Sequence, residues 1–202
     1  MGKLWAFAVP LAAFALAGCG GGTSAPSTHI APPGDAQITH AKTVVLAVSD
    51  IGNGWVTVRK ETKTIGLGKV AKGDPAALKK LEKHSFRSAY QALYANNFGN
   101  GVLATVAAWD TQEHAQQVAT GWSRQFARKL HAHRLSAPAG VPTDTFTMWG
   151  GRIAQNGRQV PLFAAQWVHN NAVVSVVMFG QGVHQRDLQG IITLQNGKLE
   201  NA

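Results

Sequence analysis

One cysteine, ten acidic residues, two tyrosines and three methionines are all that this chain has of those types. Beyond its first eighteen residues no apolar run is long enough to cross a bilayer, which takes about 20 residues. A single cysteine excludes an internal disulfide and any cysteine-rich metal cage. The scarcity of carboxylates leaves little for acid–base chemistry. Asp50 with Asp144 is the kind of pair a sugar-cleaving site needs, yet nothing in the spacing favours it. No Gly-x-Ser-x-Gly elbow marks a nucleophile. Gly66-Leu67-Gly68-Lys69-Val70-Ala71 imitates a dinucleotide fingerprint. It lacks a buried parallel strand before it and an acidic residue after it, and reads as a loop. His131-Ala132-His133 places two imidazoles two residues apart, where they do not share a helix face. His184 and Asp187 open the last helix, where an acid suits the dipole. The sequence therefore predicts no catalytic residue, no metal and no cofactor.

What is present is positive charge: 19 Lys and Arg against 10 Asp and Glu, a formal net charge of +9. Arg124, Arg128, His131 and Arg134 fall along one side of the strongest helix, away from its apolar stripe. Such a face attracts anionic headgroups or cell-wall polymers, without any motif for specific nucleic-acid recognition. The plain alternative is a solvated helix face whose cations suit the C-terminal end of the dipole. Six tryptophans are the other surplus. Trp122 belongs to the helix stripe, and Trp109 and Trp167 occupy strand positions that suit a core.

The N-terminus is distinctive. Lys3 precedes an uncharged Ala/Leu/Phe run from Leu4 to Leu16, the length of a signal h-region and too short for a spanning helix. Pro10 interrupts it. It ends in Leu16-Ala17-Gly18-Cys19, which resembles the bacterial lipobox. The resemblance covers about the first 20 residues and implies a diacylglyceryl group on the Cys19 thiol, with cleavage between Gly18 and Cys19. Met1-Gly2 with Ala6 does not fit N-myristoylation. Residues 20–34, rich in Gly, Pro and Ser, bury too little to order themselves and read as a flexible tether. The expected organisation is a lipoprotein signal peptide at 1–18, a lipidated cysteine and disordered tether at 19–34, and one domain at 35–202. The resemblance implies a lipid-anchored, extracytoplasmic protein held on a bacterial membrane through acylated Cys19, since two or more acyl chains anchor stably where one does not.

Within 35–202 the periodicity predicts a helix over 36–49 capped by Asp35, with Ile38, Ala41, Val45 and Val48 on one face. A strand over 55–63 and a short helix from Asp74-Pro75 to about Lys83 follow. Strands are predicted over 85–96 and 102–109. Asp110-Thr111-Gln112-Glu113 reads as a capping box with Asp110 as cap. It opens a helix whose stripe is Ala115, Val118, Ala119, Trp122, Phe126 and Leu130. Strands over 146–153, 160–168 and 172–179 turn at Asn156-Gly157 and Asn170-Asn171, and a helix spans 184–195. Two hairpins, each leading into a helix, suggest a degenerate strand–strand–strand–helix repeat. The fold class is α+β, an antiparallel sheet with the longer helices packed on one face. Bulky residues on both sides of the strands suggest that the second face is also covered, by the first helix. Gly54-Trp55 followed by strands and helices loosely resembles small envelope lipoproteins of unknown function. The functional expectation is a non-catalytic binding or interaction domain whose ligand or protein partner is unknown. The alternative is an accessory enzyme acting on envelope polymers, which would gather two or more of Asp50, Asp144, His169, His184 and Asp187 in one cleft.

Overall fold

A computed structural model of the chain describes residues 37–70, 79, 82, 86–138 and 146–201. The segments expected as signal (1–18) and tether (19–34, with Cys19), and also Asp35 and Asp144, lie outside the described residues. So does most of the helix expected from Asp74 to Lys83, of which Lys79 and Glu82 are helical.

One antiparallel sheet of eight strands organises the domain. In chain order these are β1 (Trp55–Thr57), β2 (Lys63–Thr64), β3 (Phe86–Asn96), β4 (Gly101–Trp109), β5 (His133–Leu135), β6 (Thr147–Gln155), β7 (Arg158–His169) and β8 (Ala172–Phe179). Their spatial order is β1-β3-β4-β8-β7-β6-β5, with β2 beside β1 along the outer edge of β3. β4 and β8 lie at the centre and are apolar on both sides, so both faces of the sheet need cover.

The expected strand over 55–63 is two short strands. Glu61 and Thr62 both donate their N–H groups to the Val58 carbonyl, folding the Arg59-Lys60 stretch into a turn. The β6–β7 hairpin turns at Asn156 (φ 50°) and Gly157 (φ 75°), the two left-handed residues that a tight twisted hairpin requires. β5 was not foreseen: it is three residues long and pairs with Met148 to Gly150 of β6.

The two long helices are α4 (Gln112–Lys129) and α5 (Gln185–Glu200); α1 (Ala41–Val44), α2 (Val48–Ile51) and α3 (Leu67–Val70) are single turns. α3 occupies the glycine-rich stretch read as a loop. The class is α+β with an antiparallel sheet, as expected, but the long helices lie on opposite faces rather than one. On the first face, Val102, Val106, Val174 and Trp167 pack against Leu188, Ile191, Ile192 and Leu199 of α5 and against Val44 and Leu46. On the second, Ala107, Trp109, Val168 and Val173 pack against Ala115, Val118, Ala119 and Trp122 of α4. Leu103, Leu162 and Val177 join Phe126 and Trp149 further along that face.

The connectors explain the correction. Trp109 points to the second face and only Asp110 and Thr111 separate it from α4, so that helix stays on that side. Phe179 also points to the second face, but a longer loop follows. Gly180, at φ 134°, turns the chain there, and Val183 is already in the core of the first face. A repeat of four strands and a helix is visible in chain order, and its halves meet at β4 and β8. A two-fold axis relating adjacent antiparallel strands stands perpendicular to the sheet and would keep both helices on one side. The halves are therefore alike in order and unlike in disposition.

The predicted helix over 36–49 is instead a strap containing α1 and α2 with extended backbone at Val45 and Ala47 between them. Its backbone groups are taken by distant side chains. Asn171 accepts from Ile38 N–H at 2.8 Å and donates to Ile38 O at 3.0 Å. Ser88 accepts from Ala41 N–H at 3.2 Å and donates to Thr39 O at 3.1 Å. Gln195 accepts from Leu46 N–H at 3.1 Å and donates to Val44 O at 2.6 Å. Each of these three side chains imitates a peptide group of a neighbouring strand. The Tyr94 hydroxyl donates to Leu46 O.

Candidate functional site

The cations singled out in the sequence occupy the end of α4 and the sheet edge beside it. Arg124 and Arg128 are one turn apart on α4; both are exposed, as are His131 just past the helix and Arg134 in β5. No ion pair reaches any of the four among the described residues. Arg134 stands opposite Trp149 in the β5–β6 pairing. His131 has φ 46°, and the next residue, Ala132, donates its N–H to Ala127 O at 3.1 Å. That is a Schellman closure with histidine where glycine is usual.

The cap at the other end of α4 differs from the expected box. Thr111 is the N-cap, accepting from His114 N–H at 3.2 Å. Asp110 instead pairs its carboxylate with His114 Nδ1, and Glu113 accepts from Gln117 Nε2.

The candidates for acid–base work are placed as follows. Asp50, beside α5, pairs with Lys198 Nζ at 2.8 Å and accepts Ala47 N–H at 2.6 Å. Partial burial would raise its pKa, but the hydrogen bonds from Lys198 and Ala47 and the Lys198 charge outweigh that and hold it below the usual 3.8. Thr43, Leu194, Gly197 and Asn201 complete an open groove of ≈ 630 Å³ around this pair. Asp187 lies at the opposite end of α5, its carboxylate accepting His184 N–H at 2.8 Å, so this pair meets through the backbone as a cap. His169 ends β7 beside the β7–β8 turn. Among the described residues no three His, Cys, Asp or Glu side chains are grouped to hold a metal ion.

Sequence reasoning missed a feature at the sheet's centre. Lys63, Gln91, Thr105, Ser175, Gln166 and Thr147 are direct partners across β2, β3, β4, β8, β7 and β6. Direct partners share a face, so these six form one polar row across the second face, between the cluster around Trp109 and that around Phe126. The outer members are engaged. Gln91 Nε2 donates to Glu61 O at 2.8 Å. Gln166 Nε2 donates to Ala119 O of α4 at 2.8 Å and to Ser123 Oγ at 3.2 Å. Thr147 pairs with Ser123 at 3.1 Å. Thr105 and Ser175, in the two central strands, remain half-buried, while their same-face neighbours Leu103, Ala107, Val173 and Val177 are buried. The middle of the sheet is thus covered less completely at Thr105 and Ser175 than at the residues around them. The available signal was one polar residue interrupting each of two apolar strands, Val102 to Trp109 and Ala172 to Phe179.

Together these features define a class: an α+β domain whose described residues form one eight-stranded antiparallel sheet covered on both faces, with a polar row through its centre. Its fold is similar to the crystal structure of the extracellular domain of PknH from Mycobacterium tuberculosis, with a TM-score of 0.53 at 12% sequence identity. The match covers 84% of this chain and 100% of that chain. No protein-family model matches the sequence, and no curated protein matches it.

Proposed function

We propose that the protein is a membrane-anchored, extracytoplasmic lipoprotein whose domain binds a ligand or partner at the cell envelope without catalysing a reaction. The observation that carries the reading is the Leu16-Ala17-Gly18-Cys19 end of an apolar leader, followed by a Gly/Pro/Ser tether. Two findings support it. No helix among the described residues is long and apolar enough to cross a membrane, and the fold is shared with the whole of an extracellular domain. Asp50 is committed to an ion pair, and His184 with Asp187 to a helix cap, which favours binding over catalysis. The exposed Arg124, Arg128, His131 and Arg134 fit contact with anionic headgroups or cell-wall polymers beside the anchor. Cys19→Ala should move the protein from the membrane fraction to the soluble one and abolish labelling by a fatty-acid analogue. Retention in the membrane fraction would remove the anchor from this reading.

A further inference from the structure

We infer that the end of the molecule bearing the β3–β4 turn is a docking surface for an anionic lipid bilayer, with Phe98 as the side chain that enters it. The inference deepens the reading of a domain that works beside a membrane, and rests on it.

Strand register supplies the placement. Val56, Ala95, Gly101, Phe179, Leu162 and Gly151 are direct partners in turn across β1, β3, β4, β8, β7 and β6. Beyond this row lie the β3–β4 turn, the β6–β7 turn and the loop into α5, and hydrogen bonds tie them together. Asn100 Oδ1 accepts Gly182 N–H at 3.2 Å, and Gln155 Nε2 donates to Gly99 O at 2.7 Å. α4 ends at the same row. A β-carbon on Gly151 would touch Ala132 Cβ at 3.4 Å and Leu130 O at 3.5 Å. This end therefore gathers exposed cations from three elements: Arg128 and His131 at the close of α4, Arg158 at the β6–β7 turn, and Arg186 in the first turn of α5.

Phe98 stands among them and is 86% exposed. Val56, at the end of the row, is 59% exposed, and Leu194 is the one other large apolar side chain exposed among the described residues. Phe98 is held out by a fixed turn. Asn96 Oδ1 accepts the N–H groups of Phe98 and Asn100, both at 3.0 Å. Gly99, at φ 77°, donates its N–H to Asn96 O at 3.1 Å. None of these bonds uses the side chain at 98, where a polar turn residue would serve the backbone equally well.

Charge selects the partner. Asp110 and Glu113 stand at the start of α4, at the opposite end of the sheet. Asp187, the acid at this end, accepts His184 N–H at 2.8 Å and lies 3.9 Å from Arg186 Nε. A single exposed apolar residue is ordinary, but a fixed aromatic ring among cations matches a bilayer interface. The ring enters the boundary between headgroups and acyl chains, and the guanidinium groups stay at the phosphates. An anionic cell-wall polymer would satisfy the cations and leave Phe98 in water. An apolar pocket on a protein would take Phe98 without using cations spread over three elements.

The reach is sufficient. The strap enters at the β7–β8 turn, the other end of the sheet, and strands of this length span about 27 Å at roughly 3.4 Å per residue. Residues 20–36 extend to at most about 60 Å at roughly 3.5 Å each, so a chain anchored at Cys19 can turn this end to the bilayer. One ring and a few cations hold no more tightly than the marginal grip of a single myristoyl chain. The contact therefore orients an anchored domain and does not keep the unacylated chain in a washed membrane fraction.

The test uses the Cys19→Ala full chain with one new cysteine carrying a polarity-sensitive fluorophore. Asn97→Cys places it beside Phe98, and Gln116→Cys places it on an exposed position near the start of α4, at the opposite end. The probes are vesicles of phosphatidylglycerol with phosphatidylcholine, and of phosphatidylcholine alone, at saturating lipid. Expected is a blue shift at 97 on the anionic vesicles, a much smaller one on the neutral vesicles, and none at 116. Phe98→Ser should lower the ratio of shifted to unshifted label at 97 at least about tenfold, and Phe98→Trp should retain it. Arg158→Gln and Arg186→Gln should each lower it about fivefold, and raised salt should lower it further. No shift at 97, equal shifts at 97 and 116, equal shifts on the two kinds of vesicle, or a ratio unchanged in Phe98→Ser would each overturn the assignment. The comparison of 97 with 116 is made without acylation and within one chain, so its failure leaves the Cys19 fractionation result standing, and a failure of the anchor leaves this comparison standing.

Discussion

His131 terminates α4 in the left-handed region, where a β-carbon costs roughly 1–2 kcal/mol. Glycine has no such penalty. His131→Gly should therefore raise stability by about 1 kcal/mol, read as a higher midpoint in urea. It should also weaken binding of the Cys19→Ala chain to anionic vesicles, if His131 belongs to a cationic contact face. Two titrating groups make opposite predictions. Asp50 has a lowered pKa, so its ion pair stabilises the fold above pH 3.8 and that stability is lost as pH falls through the lower, folded value. Lys198→Met should flatten the acid limb of the stability curve. For Tyr94, burial first, then Tyr90 and Asp50, push the pKa from 10.0 up to about 12. The neutral phenol's contribution is present below pH 10 and lost as pH rises towards 12. Tyr94→Phe should remove that alkaline loss, measured by unfolding between those limits. Residues of this kind were partly legible. The acid in the first turn of the last helix, Asp187, and the basic end of α4 could be read from types and spacing. That Thr111 rather than Asp110 caps, and that His131 takes the glycine position, are choices of backbone angle that periodicity does not encode.

At the scale of elements, the strap of residues 37–47 shows why local pattern misled. Ile38, Ala41, Val45 and Val48 have helical spacing, and the first three are buried. The strap's buried backbone groups at Ile38, Val44 and Leu46, however, bond to Asn171 and Gln195, each more than 130 residues away in sequence. A window along the chain sees the apolar period and none of those partners. β-branched Thr43, Val44 and Val45 also make a continuous helix less favourable. Asn171→Ala would leave Ile38 N–H, Ile38 O and Trp109 O without this side chain. It should destabilise the domain by at least about 2 kcal/mol, since each abandoned buried group costs roughly 1–3 kcal/mol. Ser88→Ala, at a less buried staple, should cost less. Amide exchange would place the effect: Ile38 N–H should exchange faster in Asn171→Ala while the β4 and β8 amides keep their order. The long strands β3, β4, β6, β7 and β8, by contrast, were legible because apolar runs bounded by Asn and Gly turns specify them locally. The polar row was not, because register is a property of pairs of strands. Only pairing brings Gln91, Thr105, Ser175 and Gln166 into one line.

The whole molecule has a direction that the sequence could not supply. The strap enters the fold at the β7–β8 turn, where Ile38 meets Asn171, and advances along β3 past Ser88 to Tyr94. It therefore runs away from the end of the sheet at which the N-terminal segment joins. Tension that drew residue 37 back along the strap would load the staples at Asn171, Ser88 and Gln195 together in shear instead of opening them one after another. Rates of forced unfolding follow the barrier and not the equilibrium stability, so this arrangement suits a domain pulled from its N-terminus. The lone cysteine makes the prediction accessible. The unacylated full chain can be held by the Cys19 thiol and by its C-terminus in an optical trap. No extension of about 35 Å, the length of ten residues at roughly 3.5 Å each, should precede cooperative unfolding of the sheet. In Asn171→Ala that early step should appear, because the first staple on the path is gone. An early step in the unsubstituted chain, at a force well below that which opens the sheet, would show that the strap peels and that the core carries no load applied at the N-terminal side.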